Sequence, residues 1–368
     1  MPDDTLRMLR DSAADFATLD AARVRRLRGT DPGFDRDVWR DMAGMGWLGI
    51  LIPEQHGGLG LSLRAALIIA EQLGRALYPE PYGASAVMAT LALLHGDSAA
   101  LKQDLLPRLA AGEIIASLAW QDRRGGLDID QCAVAVREQG GKRVLEGTSR
   151  FVAAPGADAF VVAARAADGL EVYWITRDAA GLGCELEPLA DGSASASLTF
   201  HAVGAAHGAR IASATSAHAA LQLALDHATL AASAELLGLM DCALDMTLEY
   251  LRTRVQFGKP IGSFQALQHR AVDLYMQKEL TRAAVNAAAA TLDDPACTAA
   301  RRSAAASGAK ARASEAALAI CGEALQMHGA IGFTDEYDLG LYVNRALVLA
   351  ASLGNASAHR DRYANLTT

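Results

Sequence analysis

From residue 213 onward the chain is almost continuously helix-forming and rich in alanine, and two polar, glycine-bearing segments interrupt it. They read RTRVQFGKPIGSFQ at 252–265 and QMHGAIGFT at 326–334. Around them the apolar period predicts helices over about 213–252, 264–291, 298–327 and 336–353. The first three exceed the usual globular length. Alanine loses little side-chain entropy in a helix and lets neighbouring helices approach closely. Long alanine-rich helices joined by short turns therefore predict an antiparallel four-helix bundle. The 213–252 stretch lacks a sustained heptad, which argues against a dimerising coiled coil. The two interruptions suggest one half of a cofactor site.

The chain ahead of the bundle divides in two. Residues 5–28 carry Leu6, Leu9, Phe16 and Leu19 at helical spacing until Gly29 and Pro32-Gly33 end the pattern. A short amphipathic helix over 35–46 follows, around Val38, Trp39, Met42 and Met45. Pro53 to Gly58 form a turn, and helices resume at about 62–77, 84–95 and 98–110. Near residue 115 the texture changes to short segments, at 115–120, 131–137, 142–146, 159–164, 170–176 and 195–200. Gly125-Gly126, Gly140-Gly141, Pro155-Gly156 and Asp168-Gly169 separate them, which predicts a small β-sandwich or barrel. The expected fold is α+β, with an all-helical domain over 1–114, a β domain over 115–210 and the bundle over 211–368.

Composition narrows the function. The chain has 368 residues and a net charge of −8, so no general excess of Lys and Arg exists to neutralise nucleic-acid phosphates. Hydrophobic residues make up 51% but aromatics only 5%, so the apolar mass is mainly aliphatic and suits packed helices. Cys132, Cys184, Cys242, Cys297 and Cys321 form no CxxC pair, and the histidines have no ligand spacing. They read as small buried residues in a reducing compartment, with no metal site. No signal segment opens the chain and no 18-residue uncharged apolar run spans a bilayer. A soluble, cytoplasmic protein without a membrane partner is expected.

Three stretches carry a family resemblance. Met45-Gly46-Trp47-Leu48-Gly49-Ile50 with Pro53-Glu54-Gln55-His56-Gly57-Gly58 is similar to the "GLLGL…PEEHGG" segment of the acyl-CoA dehydrogenases. Arg254-Val255-Gln256-Phe257-Gly258-Lys259-Pro260-Ile261 with Phe264-Gln265 resembles their "R-x-x-F-G-K…Q" signature. Gln326-Met327-His328-Gly329-Ala330-Ile331-Gly332-Phe333 resembles their "Q-x-x-G-G-x-G-F/Y" turn. The order of the three and their helical context match that flavoprotein family along nearly the whole chain.

Half of the family's cofactor site is present by this resemblance. Arg254 offers a rigid fork of donors suited to a pyrophosphate. Gln256 and Gln265 can bond ribose or adenine edges, and Phe257 can supply an apolar face beside the adenine. Gln326 with Gly329 permits close approach of backbone to cofactor. In the resembled family this surface reaches across an interface to the adenine end of the neighbour's FAD.

The other half is missing. The family's "T-E-P-x-A-G-S-D" loop holds the flavin ring, and here the stretch is Trp120-Gln121-Asp122-Arg123-Arg124-Gly125-Gly126. The family's "W-I-T" strand is matched by Phe151-Val152-Ala153, which lacks the hydroxyl. Trp174-Ile175-Thr176 repeats those letters a strand or two too late and reads as ordinary packing. The family's chemistry needs a carboxylate to take the α-proton of an acyl-CoA while the β-hydride passes to flavin. Its two known base positions fall on Gly354 and Ala228, so no catalytic residue is assigned. Asp226 reads as a helix-surface or interface carboxylate, His227 points away from the direction of 228, and Glu235 is a candidate for an inward-facing relocated base.

The resemblance includes heteromeric dehydrogenases acting on CoA thioesters of steroid side chains and other bulky acids. A chain that keeps the cross-interface residues and loses its own ring pocket and base fits the non-catalytic subunit of such an enzyme. The implied partners are a catalytic acyl-CoA dehydrogenase subunit in a 2:2 heterotetramer, an acyl-CoA substrate and an electron-transfer flavoprotein, with FAD shared across the interface. Two other readings stay open: a self-sufficient flavoenzyme with a relocated base or altered chemistry, in which Arg123 and Arg124 meet an acidic substrate group, and a non-enzymatic scaffold.

Overall fold

The computed structural model describes residues 3–122, 124–153 and 156–368. Its residues form two compact units. One contains the chain up to Arg26, Leu67–Tyr78 and Thr229–Thr368; the other contains Leu27–Ala66 and Pro79–Ala228.

The first helices are α1 (Asp3–Phe16), α2 (Ala21–Leu27), α3 (Arg36–Gly44) and α4 (Leu63–Arg75). The single stretch expected over 5–28 is therefore two helices. Asp20 restarts the chain as a cap, accepting from Arg23 N at 2.8 Å. α3 is capped by Asp35, which accepts from Asp37 N, and buries Trp39 and Met42. The segment expected as a helix over 84–95 opens as a π-helix, Tyr82–Ala89, before α5 (Thr90–Leu94). The Thr90 hydroxyl donates to Ser85 O, five residues back, at 2.9 Å, which suits the wider π spacing. α6 (Ala99–Ala110) follows, capped by Ser98.

The β strands are β1 (Ala116–Ala119), β2 (Ala135–Gln139), β3 (Lys142–Val152), β4 (Ala159–Ala166), β5 (Gly169–Thr176), β6 (Leu182–Pro188), β7 (Ala194–Gly204) and β8 (Arg210–Ala212). They join in one sheet of order β6-β7-β3-β2-β4-β5-β8, with β1 added parallel to β4. β6 and β8 were not expected. β6 is a mostly exposed edge strand in which Leu182, Cys184 and Leu186 alternate with Gly183, Glu185 and Glu187, but glycine and glutamate are poor strand formers, and β8 has only three residues. β3 runs on to Val152 through two register shifts against β7, longer than its Val-rich start suggested. Arg36 ties α3 to this sheet, donating to both oxygens of Asp158 at 2.8 and 3.1 Å.

The C-terminal helices are α7 (Ala217–Thr253), α8 (Gln265–Leu292), α9 (Ala299–His328), α10 (Leu339–Ala351) and α11 (Ala356–Thr367). A two-stranded hairpin, β9 (Val255–Gln256) and β10 (Lys259–Pro260), lies between α7 and α8. The first four helices match the expected bundle within a few residues. α11 is an addition, started by Asn355, which accepts from Ala358 N at 3.0 Å. Its Tyr363 ring lies 3.5 Å from where a Cβ on Gly308 of α9 would stand.

Glycine brings α4 and α7 into backbone contact. A Cβ on Gly238 would lie 2.0 Å from Glu71 O, and one on Gly74 would lie 2.3 Å from Glu235 O. Beside this crossing Asp241, almost fully buried, accepts ion pairs from Arg282 at 2.7 Å and from Arg75 and Lys278 at 3.1 Å. Arg282 also reaches Glu71 at 2.6 Å, which ties α8 to α4 as well as to α7. Tyr342 and Cys242 both donate to Arg75 O, closing the end of α4.

The turn from α10 to α11 is built around a fully buried cation. Lys310 on α9 donates to Leu349 O at 3.0 Å, Ala350 O at 3.2 Å, Gly354 O at 3.0 Å and Ser314 Oγ at 2.9 Å. Burial pulls the Lys310 pKa down to about 7. The carbonyls at the negative end of α10 favour the charged form and oppose that pull. His359, also fully buried, contacts Leu353 O through Nε2 at 2.8 Å and Ser307 Oγ through Nδ1 at 3.2 Å. Within that turn Leu353 and Gly354 have φ of +56° and +98°.

Two stability experiments follow. Gly238→Ala is expected to cost about 1–3 kcal/mol through overpacking at the α4–α7 crossing. Gly322→Ala, where nothing lies within 4 Å of the new Cβ, is expected to gain up to about 1 kcal/mol of helix propensity; denaturant melts of both variants test the contrast. His359 is held down to about 4, first by desolvation and then by the Lys310 charge. The unfolded chain takes that proton near its ordinary value of 6.5, so the stabilisation is complete above that pH and is lost as pH falls to about 4. Urea melts across this window are expected to lose on the order of 3 kcal/mol, and His359→Gln is expected to flatten the slope.

Candidate functional site

The first interruption of the bundle is a short projecting arm. Lys259 pairs with Gln256 and Pro260 with Val255, and Phe257-Gly258 makes the two-residue turn with φ of +55° and +77°. Positive φ at both central residues is the requirement of a type I′ hairpin, normally met by Asn-Gly. Phenylalanine in that conformation costs roughly 1–2 kcal/mol. The ring is also 91% exposed. A side chain that is both strained and largely left in water adds little to the apolar core, and such positions are candidates for functional contacts.

The second interruption stands at the same end of the bundle. α9 stops at Gly329, whose φ of +64° and ψ of −142° suit glycine alone. His328, buried, stacks on Tyr250 near the end of α7 with ring centroids 4.5 Å apart. Its Nδ1 lies 2.8 Å from Ala324 O and its Nε2 lies 3.1 Å from the Tyr337 hydroxyl. Nδ1 therefore carries the proton and donates to the carbonyl, while Nε2 accepts from Tyr337. Burial pushes the His328 pKa down and keeps the ring neutral. The Tyr250–His328–Tyr337 cluster pins the C-terminus of α7 to that of α9, so the arm and the Gly329 turn keep a fixed relation.

Four polar side chains at this end face solvent. Arg254, Gln256, Gln265 and Gln326 are all exposed, and none has a side-chain hydrogen-bond or ion-pair partner among the described residues. Phe333 and Ile331, 76% and 43% exposed, add apolar surface beside them. The surface thus offers a guanidinium fork, three amides and an aromatic face with their binding capacity unengaged.

The β-domain loop has the opposite character. Gln121 turns its amide back onto Gly125 O and Gly126 O at 3.0 and 3.2 Å. Arg124 donates to Asp122 at 2.9 Å and to Gln131 at 2.8 Å. Burial raises the Asp122 pKa, but hydrogen bonds from Arg124 outweigh it and hold the carboxyl below its ordinary range. Arg123 lies outside the described residues. Phe151, at φ +57°, places its ring 3.1 Å from where a Cβ on Gly125 would stand, and the Arg150 guanidinium covers that ring at 5.0 Å. The described part of this loop and the end of β3 thus lie together through the Phe151 ring, which remains 41% exposed. Trp174 is half-buried on β5, opposite Val161 of β4.

The two positions where the resemblance expects a base, 354 and 228, carry no side-chain proton acceptor. Gly354 gives its carbonyl to Lys310, and Ala228 is a buried alanine on α7. Asp226 corrects an expectation: it is fully buried rather than on a helix surface, and accepts from Gln222 at 3.1 Å. His227 contacts Leu223 O of its own helix at 2.8 Å. Glu235, the candidate for a relocated base, accepts from Arg345 at 2.7 Å in an ion pair joining α7 to α10. Sequence reasoning missed the Tyr250–His328–Tyr337 cluster and the Phe151 contact. The visible signals were a histidine inside the second segment and a tyrosine four residues before Arg254.

Comparison with known proteins gives this arrangement a family. Residues 3–113 match the acyl-CoA dehydrogenase N-terminal domain and residues 217–365 the acyl-CoA dehydrogenase C-terminal domain. The acyl-CoA dehydrogenase IpdE2 of Mycobacterium tuberculosis is 34% identical over 352 residues, covering 94% of this chain and 92% of that protein. A chain from a variant of the Tcur3481-Tcur3483 steroid ACAD superposes with a TM-score of 0.88 at 31% identity, covering 99% of this chain and 98% of the other. A chain of the ChsE4-ChsE5 complex of Mycobacterium tuberculosis gives a TM-score of 0.88 at 26% identity, covering 99% and 97%. With both terminal domains matched and a third of its residues shared with a relative of nearly equal length, the chain belongs to the acyl-CoA dehydrogenase family and resembles chains of heteromeric members of it.

Proposed function

We propose that this chain is the non-catalytic subunit of a heteromeric, FAD-dependent acyl-CoA dehydrogenase acting on a bulky acyl thioester such as a steroid side-chain acid. The observation that carries this reading is the outward-facing surface at the end of the bundle. Arg254 would meet a pyrophosphate through its fork of donors. Gln256, Gln265 and Gln326 would bond the ribose and adenine edges, Phe257 would lie beside the adenine, and Gly329 would admit backbone to close range. These residue types fit the adenine half of a dinucleotide, and their exposure fits a cofactor held mainly by another subunit. When bound, the flavin supplies the acceptor for the β-hydride of the thioester.

The catalytic partner then provides the flavin-ring pocket and the carboxylate that takes the α-proton. Gly354, Ala228, the Glu235–Arg345 pair and the Phe151 ring against Gly125 all weigh against a self-sufficient active site. The relatives described above include a steroid enzyme and a complex named for two proteins, which favours a bulky substrate and a two-component assembly. A 2:2 heterotetramer that passes electrons to an electron-transfer flavoprotein, in the cytoplasm, completes the reading.

Co-expression with a dehydrogenase chain that has an intact base and ring loop tests it. The chain alone is expected to purify without yellow colour, and the complex with FAD. Arg254→Ala in the complex is expected to weaken FAD retention about ten- to a hundredfold, the scale of a charge-assisted hydrogen-bond pair. Stoichiometric FAD with acyl-CoA turnover by the chain alone would overturn the proposal. Unchanged flavin content in the Arg254→Ala complex would favour a scaffold without cofactor contact.

A further inference from the structure

The arm is too small to hold its own shape. Each of its strands has two residues, and isolated hairpins even of ordinary length are marginal in water. Its turn also places a phenylalanine in the left-handed region. Something outside the hairpin must therefore select this conformation.

The base of the arm is well anchored. Ile261 N donates to Arg254 O at 2.8 Å, Ser263 Oγ to Pro260 O at 2.7 Å and Gln268 Nε2 to Gly262 O at 2.9 Å. Gly262 lies against the end of α7, where an added Cβ would stand 2.8 Å from Leu251 O. None of these contacts reaches the tip. The tip has one aromatic contact: the Phe257 ring meets Phe264 edge to face, with centroids 6.0 Å apart at 90°. The Lys259 ammonium caps the Phe264 ring at 4.4 Å from its centroid. Phe264 is half-buried at the N-cap of α8, so its own backbone is fixed by the helix it begins. Both geometries are favourable arrangements of an aromatic quadrupole.

We infer that Phe264, with Lys259 over its ring, is a positioning residue that holds Phe257 in the left-handed turn in the free subunit, so that the arm meets its binding partner already formed. The inference rests on the cofactor-arm reading above for its purpose, but the pre-formed turn is a property of this chain alone. A pre-formed arm avoids the loss of affinity that follows when the binding-competent state is only fractionally populated.

The test uses the full chain labelled with ¹³C,¹⁵N-phenylalanine, with the Cα shift and the backbone heteronuclear NOE of Phe257 read in the absence of any partner. The wild type is expected to show a left-handed Cα shift and a rigid NOE. Phe264→Leu is expected to give averaged values at an unchanged melting temperature, Phe264→Tyr to restore both, and Lys259→Met to give an intermediate result. A Phe257 already averaged in the wild type, or unchanged by Phe264→Leu, would overturn the inference. In the co-expressed complex, an arm formed about a tenth of the time weakens FAD retention about tenfold, and that is the result expected of Phe264→Leu. If Arg254→Ala strips flavin and Phe264→Leu does not, the positioning role fails while the cofactor-arm reading stands. If Phe264→Leu averages the turn and neither variant changes flavin content, the turn is pre-formed as inferred but the cofactor-arm reading fails.

Discussion

Helix backbones in contact are what the bundle is organised around. At Gly238 and Gly74 there is no room for a single methyl group, so α4 and α7 are fixed in register as well as in distance. Alanine along the facing positions spreads the same closeness through the rest of the bundle. Asp241 with its three cations, and Lys310 among four oxygens, are polar centres inside this packing, each satisfied by the groups around it. These centres set the termini of α4 and α10, and so decide where the chain turns.

Much of this was legible in the residues because helix periodicity is a local signal. The four long helices were bounded to within a few residues by the change from Ala/Leu repeats to Gly, Pro and polar clusters. The features that escaped were those whose cause lies elsewhere in the chain. β6 is held by β7 along its whole length although its glycine and glutamates are poor strand formers. α11 has a low apolar content and exists because His359 and Tyr363 find places on α9. Asp226 looked like a surface carboxylate because nothing local announces its burial.

The candidate site divides along the same line. Arg254, Gln256, Phe257, Gln265, Gln326 and Gly329 could be named from two segments because the pattern of residue types was itself unusual. That the first segment folds as a strained hairpin with Phe257 at its tip, and that Tyr250, His328 and Tyr337 join it to the second, depends on contacts between residues 78 positions apart. The empty base positions were legible as letters, Gly354 and Ala228. What the letters did not reveal is what the residues at and around those positions do instead. Gly354 is locked through its carbonyl, and Phe151 covers Gly125.

The exposed end of the bundle has a consequence for how the chain lives in a cell. Val255, Phe257, Ile331 and Phe333 leave 53%, 91%, 43% and 76% of their surfaces in water. Apolar surface gathered at one place is adhesive toward any other apolar surface, not only toward its proper complement. A chain made in excess of whatever covers this end carries that adhesiveness uncovered. Left uncovered, that surface limits how much of the chain can accumulate before it sticks to other apolar surfaces, a limit set in part by the shape of a six-residue hairpin.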